Sequence, residues 1–514
     1  MMNASSRNIA KGAGVNVLGE ILSFAGEPLL YFAISSLMGP DVLGIYILVG
    51  YCLALMCRLA IMGIDKGMLR FVPIAYGEKQ DSGRIDRVLG TAVRQVVMVC
   101  GIIVLVVNLF PDVFLKIGGK TPALHAPYWL VIMVFAVPAQ ALTKTLLYAI
   151  RGISNMWAFV IVQNLFGPLL LLGVSLVPML LSMNPILLAY GYTISAFGTV
   201  GIASWFFKRN FKRSTFKRLL FAETDWSLLR FSWPQGMTEI LNFLLSRIDL
   251  LMIAAFFPER PELLAFYGIA ALMAAVVKKV RLSFDNSAAP ILSDLFASND
   301  HEALRRHYEN VGRWVFSLFV LFAGGLMMSA QFILSIYGEA YTEYWLVVPI
   351  LAMGRVLNGA AGPAQVALLM SGHSKLELAN NIFINILNIG LNALLIPRYH
   401  VFGAAMATSA SLIVFSAIRA IEVAHLLKLW VDPKSAGRVA LAGICAALPL
   451  FVWILVMHRL SPVAGLFFSV VYLVSYPLWW CAFGPRADIN QLREAFNRYV
   501  KKRRGDAESS YRSV

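Results

Sequence analysis

Basic side chains interrupt an apolar stretch just beyond the middle of the chain. Residues 274–285, AAVVKKVRLSFD, carry Lys278, Lys279, Arg281 and Asp285 within a long hydrophobic run. On a helix, positions 278, 281 and 285 share one face, whereas Lys279 is turned roughly 100° away. Lysine and arginine that are withdrawn from water form short, charge-assisted hydrogen bonds to phosphate oxygens. The spacing therefore predicts a helix face that binds an anion.

Other arginines and lysines also lie in or beside apolar runs. A charge at the centre of a bilayer costs at least about 2.5–3.5 kcal/mol, so the deeper ones are expected to face a wet cavity. Arg94 and Lys144 lie closer to the ends of their runs, which favours side chains that reach the membrane surface. The predicted substrate-binding residues are Arg58, Lys278, Lys279, Arg281, Arg355 and Arg247.

Acidic residues in the apolar runs allow two interpretations. A carboxyl group in a low-dielectric environment has a raised pKa and could exchange H⁺ or hold Na⁺ during a transport cycle. The same group could instead form an ion pair with a nearby basic residue. No cofactor beyond such an ion is expected. The candidate ion-coupling residues are Glu20, Glu27, Glu239, Asp249 and Asp285.

The composition identifies the elements that must position these charges. Hydrophobic residues make up 59% of the chain and charged residues 14%, and the mean hydropathy is +0.71, whereas soluble chains are about 25% charged. Apolar runs of about 20 residues span the hydrocarbon as helices, and the absence of alternation excludes a β-barrel. The roughly fourteen predicted spans are 14–38, 42–64, 88–110, 127–150, 157–181, 186–207, 235–257, 264–290, 311–335, 344–370, 376–397, 402–428, 439–457 and 463–483.

The distribution of lysine and arginine predicts the topology. With the N-terminus inside, the cytoplasmic segments hold 29 of these residues and the outer loops hold 5. This asymmetry predicts cytoplasmic N- and C-termini in a multi-pass protein. It also accounts for most of the net charge of +16, so no nucleic-acid partner is expected.

An internal repeat organises the spans into two halves. EILSF at Glu20 matches EILNF at Glu239, and RQVVMV at Arg94 resembles RWVFSL at Arg313, both 219 residues apart. Each copy contains six spans, so both have the same orientation, and paired halves around a midplane site are typical of alternating-access transporters. The predicted domains are an N-lobe at 1–207, a basic linker at 208–234, a C-lobe at 235–428, and two further helices with a basic tail at 429–514.

Two stretches resemble a known family. Residues 37–80 contain Gly39, Gly44 and Tyr46 before the second helix and Gly63, Arg70 and Gly77 after it; residues 368–411 contain Gly372, Asn388, Asn392, Pro397 and Gly403. Both are similar to the polysaccharide transporter family, the Wzx-type oligosaccharide-lipid flippases. The resemblance implies an all-α fold like that of multidrug and toxic-compound exporters (MATE), with two six-helix lobes in a V and two C-terminal helices.

The resemblance also implies a function. The expected activity is non-enzymatic transfer of an undecaprenyl-diphosphate-linked oligosaccharide from the inner to the outer leaflet of the bacterial cytoplasmic membrane. The lipid bilayer, a polysaccharide polymerase and glycosyltransferases are the implied partners. A lipid II flippase, a drug or cation antiporter of the same fold, a membrane-embedded polymerase and a structural protein of an envelope assembly remain open.

Overall fold

The computed structural model describes residues 26–77, 82–111, 126–153, 155–182, 184–211, 218, 221–298, 300–457 and 461–483. Within these ranges every regular element is a helix, which confirms the all-α prediction. Glu20 and the basic C-terminal tail lie outside the described residues.

The helices follow the chain with short connections. A π-helical segment, Val160–Phe166, separates α7 from α8, and a second one, Val423–Leu427, follows α16. The α-helices are α1 (26–38), α2 (Pro40–Ile61), α3 (Ile64–Gly77), α4 (Ser82–Leu109), α5 (Ala126–Met133), α6 (Ala136–Gly152), α7 (Met156–Phe159), α8 (Gly167–Ser182), α9 (Ile186–Asn210), α10 (Trp226–Phe256), α11 (Glu262–Ala297), α12 (His301–Tyr337), α13 (Glu339–Thr342), α14 (Val347–Gly359), α15 (Ala364–Met370), α16 (Ser374–Glu422), α17 (Pro433–Met457) and α18 (Pro462–Phe483).

Eight helical stretches in the described ranges are long and apolar enough to cross a membrane. One of them, Ser374–Leu427, contains a break at His400, where φ is 50° and ψ is −128°. The number of fourteen spans and the three boundaries between the four predicted domains stay predictions. Helices begin at Ser82 and His301, and at Met156 and Ser374, which are separations of 219 and 218 residues. These spacings agree with the repeat inferred from the sequence.

Local chemistry sets several helix ends. Asp225 and Asp300 precede α10 and α12, and their carboxylates accept hydrogen bonds from the first free backbone N–H groups of those helices. Between α2 and α3, Met62 and Gly63 adopt φ values of 42° and 77°. Gly63 lies against Ser232 of α10, where a Cβ atom would be 2.2 Å from the carbonyl oxygen. Glycine at this position therefore permits both the turn and the close approach of α10.

The chain forms two compact units. Unit 1 comprises Met1–Ile269 and Asn381–Ala407. Within it, α9 packs against α6 and α8, and α10 packs against α2 and α3. This unit therefore brings together the helices that carry Arg58 and Arg247.

Unit 2 comprises Ala270–Asn380 and Thr408–Val514. Its core forms where α12 packs against α14, α17 and α18. The hydroxyls of Tyr472 and Tyr476 on α18 donate hydrogen bonds to the backbone oxygens of Val320 and Ser317 on α12, at 2.9 and 3.0 Å. Within unit 2, α18 is thus joined to α12 by polar as well as apolar contacts.

We expect Gly44→Ala to destabilise the protein. A Cβ atom at Gly44 in α2 would lie 1.8 Å from the carbonyl oxygen of Pro261, which precedes α11. The backbone must move to relieve that overlap, and overpacking of this kind costs about 1–3 kcal/mol. The measurement is thermal unfolding of the detergent-purified protein.

Gly101→Ala in α4 is the matched control. No atom lies within 4 Å of a Cβ atom built there, so the change should be neutral or stabilise the helix by up to about 1 kcal/mol. Equal melting temperatures for the Gly44→Ala protein and the wild type would contradict the packing described here.

Candidate functional site

Arg58 lies deep within unit 1. It occupies the midpoint of the apolar stretch Pro40–Tyr76 and is half-buried. Its Nη1 donates a hydrogen bond of 3.1 Å to the backbone oxygen of Ala54, and its guanidinium lies 4.2 Å from the ring centroid of Phe243 on α10. A ring attracts a cation without neutralising it. Arg58 therefore retains its positive charge within a predicted span.

Arg247 faces α2 from the neighbouring helix α10. Its Nη1 donates a 2.6 Å hydrogen bond to the hydroxyl of Tyr51, and its guanidinium lies 4.3 Å from the centroid of the same ring. Among the described residues, neither Arg58 nor Arg247 has a carboxylate within ion-pair distance. We call these two residues the arginine pair. With no carboxylate at ion-pair distance in the described part of the chain, both guanidiniums can bind an anionic ligand.

A cavity of about 460 Å³ adjoins the arginine pair within unit 1. Tyr51 lines this cavity and also accepts the hydrogen bond from Arg247. Glu27, a candidate ion-coupling residue, lines it as well and accepts a 2.8 Å hydrogen bond from the hydroxyl of Tyr31. Two tyrosines of the cavity wall thus bind charged side chains, Tyr31 the carboxylate of Glu27 and Tyr51 the guanidinium of Arg247.

Other polar side chains complete the cavity wall. The amide Nε2 of Gln140 on α6 donates a 2.7 Å hydrogen bond to the hydroxyl of Tyr192 on α9. Gln163 projects from the π-helical segment, and π-helical turns occur frequently at functional sites. The sequence predicts that Lys144 reaches the membrane surface, but its side chain lines this cavity and is half-buried.

The predicted basic face on α11 lies in unit 2 and is partly neutralised. Arg281 Nε lies 3.3 Å from the carboxylate of Asp285, and both side chains are largely buried. The Arg281 guanidinium also donates to the side-chain oxygen of Asn358. Lys278 is exposed, and the side chain of Lys279 is outside the described set. Arg281 is therefore held by a partner rather than free for an anion.

The remaining candidates have diverse surroundings. Arg355 is half-buried on α14, also in unit 2. Glu239 forms a 3.5 Å ion pair with Lys66 across α10 and α3, and both side chains are more than 40% exposed. Asp249 is 2% exposed and accepts hydrogen bonds from the hydroxyl of Tyr267 and from the Leu250 backbone. Their roles in transport or ion coupling stay predictions.

The tyrosines and glutamines of the cavity were absent from the sequence-based candidates. They come from α1, α2, α6, the π-helical segment and α9, and each belongs to an ordinary apolar run when read alone. No spacing within the sequence indicates that these five elements converge. Only the fold brings them to one site.

The fold is that of known membrane transporters. A structure entitled "Lipid II flippase MurJ, inward closed conformation" matches at a TM-score of 0.71 and 14% identity, covering 92% of this chain and 98% of that chain. A structure of an inward-facing multidrug resistance MATE family transporter of the MOP superfamily matches at 0.65 and 14%, covering 78% and 95%. A variant of the Vibrio cholerae MATE transporter VcmN matches at 0.55 and 14%, covering 82% and 98%. The predicted MATE-like fold is thus confirmed, and the chain is a multi-pass membrane protein.

Residues 160–346 match a family model described as "Polysaccharide biosynthesis protein". No curated protein matches the sequence. This match agrees with the resemblance seen in residues 37–80 and 368–411, so the predicted similarity to a polysaccharide biosynthesis family is confirmed.

Proposed function

We propose that this protein is a flippase for a polyprenyl-diphosphate-linked oligosaccharide. The observation that carries the proposal is the arginine pair, two half-buried guanidiniums on facing helices without a carboxylate partner among the described residues. Charges inside membrane spans are costly and mark substrate or ion pathways. Two guanidiniums provide the donor geometry that diphosphate oxygens require.

The proposed mechanism is alternating access with the lipid tail left in the bilayer. The arginine pair binds the diphosphate on the cytoplasmic side, and the two repeat halves rearrange to expose it on the outer side. The polyprenyl chain needs no protein cavity, because it remains in hydrocarbon throughout. No covalent step is involved, and the energy comes from an ion gradient or from removal of the product.

Glu27 is the proposed coupling residue. Its carboxylate lines the same cavity as Tyr51, and Tyr51 contacts Arg247. A proton or Na⁺ on Glu27 would change the electrostatic field at the neighbouring anion site, which is the physical basis for coupling. The proposed location is the bacterial cytoplasmic membrane with both termini inside, next to the glycosyltransferases and polymerase that supply and consume the glycan.

Two alternative substrates follow from the structural neighbours. Lipid II also carries a diphosphate, so the arginine pair alone does not separate it from other lipid-linked glycans. An organic cation, in contrast, would be repelled by the arginine pair. The charge of the site therefore favours a diphosphate lipid over a drug cation.

The test uses the purified full-length protein in proteoliposomes. The expected result is transfer of a fluorescent undecaprenyl-diphosphate-linked oligosaccharide across the bilayer, with no accumulation of a fluorescent organic cation under an H⁺ or Na⁺ gradient. Transport of the cation without transfer of the lipid would overturn the proposal. Transfer of lipid II alone would assign the alternative flippase activity.

A further inference from the structure

We infer that the 460 Å³ cavity of unit 1 is a saccharide-binding site. Its size falls within the ≈ 300–1,000 Å³ range of small-molecule sites. Its wall combines aromatic rings with a carboxylate, two amides and an ammonium group. The sugar would occupy this cavity, whereas the proposed function places the diphosphate at the adjoining arginine pair and gives Glu27 of the wall a coupling role. The chemistry-bearing residues are Glu27, Tyr31, Tyr46, Gln140, Lys144 and Gln163.

The balanced charge of the wall favours neither a large organic cation nor an inorganic anion as the ligand that fills it. Glu27 and Lys144 are the only charged residues among those described as lining the cavity, and their charges cancel. An organic cation large enough to fill the cavity would meet the ammonium of Lys144 and, beyond Tyr51, the guanidinium of Arg247. An inorganic anion would meet the carboxylate of Glu27. A neutral ligand with many hydroxyl groups matches this balanced wall best.

The polar groups have unused hydrogen-bonding capacity. Gln163 has no hydrogen-bond partner in the described part of the chain, so both its amide donors and its carbonyl oxygen are available. Gln140 uses one N–H on Tyr192, which leaves its carbonyl oxygen as an acceptor. Glu27 accepts one bond from Tyr31 and has further lone pairs. Vicinal sugar hydroxyls, each both donor and acceptor, complement such a set.

The aromatic side chains form a rigid second surface. The rings of Tyr31 and Tyr46 meet edge to face at 6.3 Å, and those of Tyr46 and Tyr192 do so at 6.1 Å. Trp129, which is fully buried, supports Tyr46 from behind at 6.5 Å. Ring contacts of this kind fix the orientation of each tyrosine. The C–H face of a pyranose ring can pack on this apolar surface while its hydroxyls reach the amides.

Tyr51 links this cavity to the anion site. Its side chain lines the cavity and its hydroxyl accepts the hydrogen bond from Arg247. A ligand with a sugar in the cavity would therefore carry its next group towards the arginine pair. A sugar in the cavity followed by an anionic group at the arginine pair matches a sugar attached directly to a diphosphate. This link between the two sites rests on the proposed function. The saccharide assignment itself rests only on the cavity.

The test measures thermal stabilisation of the full-length protein in detergent. The probes are N-acetylglucosamine, galactose, glucuronic acid, inorganic pyrophosphate and tetraphenylphosphonium. We expect at least one saccharide to raise the melting temperature. Gln163→Met and Gln140→Met should each raise the saccharide concentration needed for that stabilisation at least tenfold. Gln331→Met, a half-buried glutamine on α12 that does not line the cavity, should leave it unchanged.

Pyrophosphate separates the two proposals. Its stabilising effect should persist in Gln163→Met and disappear when Arg58 and Arg247 are both replaced by alanine. The saccharide site is overturned if no saccharide stabilises the protein, if only tetraphenylphosphonium does, or if the glutamine variants respond like the wild type. Saccharide stabilisation without pyrophosphate binding or lipid transfer would instead overturn the proposed function and leave the saccharide site in place.

Discussion

Replacing Arg58 and Arg247 together with alanine lowers the transfer of lipid-linked oligosaccharide in proteoliposomes by about a hundredfold or more. A hydrogen bond to a charged group contributes roughly 1.5–3 kcal/mol. Losing two of them at the lower figure gives about 3 kcal/mol, or two factors of ten. The expected loss is large because α2 carries no other basic residue and the only other basic residue of α10 is Arg230, near the start of that helix.

A surface arginine provides the control for this double variant. Arg209→Ala removes a guanidinium that lies over Trp205 in the last turn of α9 and is exposed. Its transfer rate should equal that of the wild type. A double Arg58 and Arg247 variant that is folded, inserted and as active as the wild type would show that the arginine pair does not bind substrate.

Glu377→Ala strongly destabilises unit 2. Glu377 and Arg419 form a buried ion pair through two hydrogen bonds, and their side chains are 3% and 5% exposed. Removing one partner of such a pair leaves a buried charge and costs about 3–5 kcal/mol. Thermal unfolding of the purified variant in detergent measures this cost.

The position of this pair explains its structural role. The break at His400 divides α16 into two arms, and Glu377 on one arm binds Arg419 on the other. Asn380 donates a 2.6 Å hydrogen bond to Glu422 across the same two arms. The guanidinium of Arg419 also lies 3.6 Å from the centroid of the Phe415 ring. The pair therefore fixes how the ends of the two arms meet.

Two further variants test this interpretation. Glu302→Ala removes the partner of Arg306 in an exposed ion pair, in which the side chains of Glu302 and Arg306 are 80% and 66% exposed. This change should alter stability by no more than about 1 kcal/mol. Replacing Glu377 with Leu and Arg419 with Met together should recover most of the lost stability, because a buried apolar pair is often as stable as the ions it replaces. If the Glu377→Ala protein had the same melting temperature as the Glu302→Ala control, the result would contradict a stabilising role of the buried pair.

Hydropathy and spacing predicted the helices well, because an apolar run in a bilayer must form hydrogen bonds among its own backbone N–H and C=O groups. The run 264–290 appears within Glu262–Ala297, and the run 463–483 appears as Pro462–Phe483. The predicted span 42–64 ends close to the break at Met62 and Gly63, but hydropathy does not predict the positive φ values there or the close approach of Ser232 from α10. Contacts between helices that are far apart in the sequence determine where such breaks occur.

For the charged residues, too, the sequence predicts some features and leaves others to the fold. The sequence indicated that Arg58 and Arg247 lie within apolar runs, but not that Arg58 contacts Phe243 on α10 or that Arg247 contacts Tyr51 on α2. The pairing of Arg281 with Asp285 could have been predicted, because residues four apart on a helix lie side by side and favour ion pairs. The glutamines and tyrosines of the cavity carried no comparable signal, since their significance depends on convergence of separate elements.

The most direct test of the arginine pair compares two ligands that differ only in charge. The affinity of the purified protein is measured for undecaprenyl diphosphate and for undecaprenol in the same detergent. We predict that the wild type binds the diphosphate about a hundredfold more tightly, and that the Arg58 and Arg247 double alanine variant binds both ligands equally. Equal affinities in the wild type, or an unchanged preference for the diphosphate in the double variant, would contradict the account.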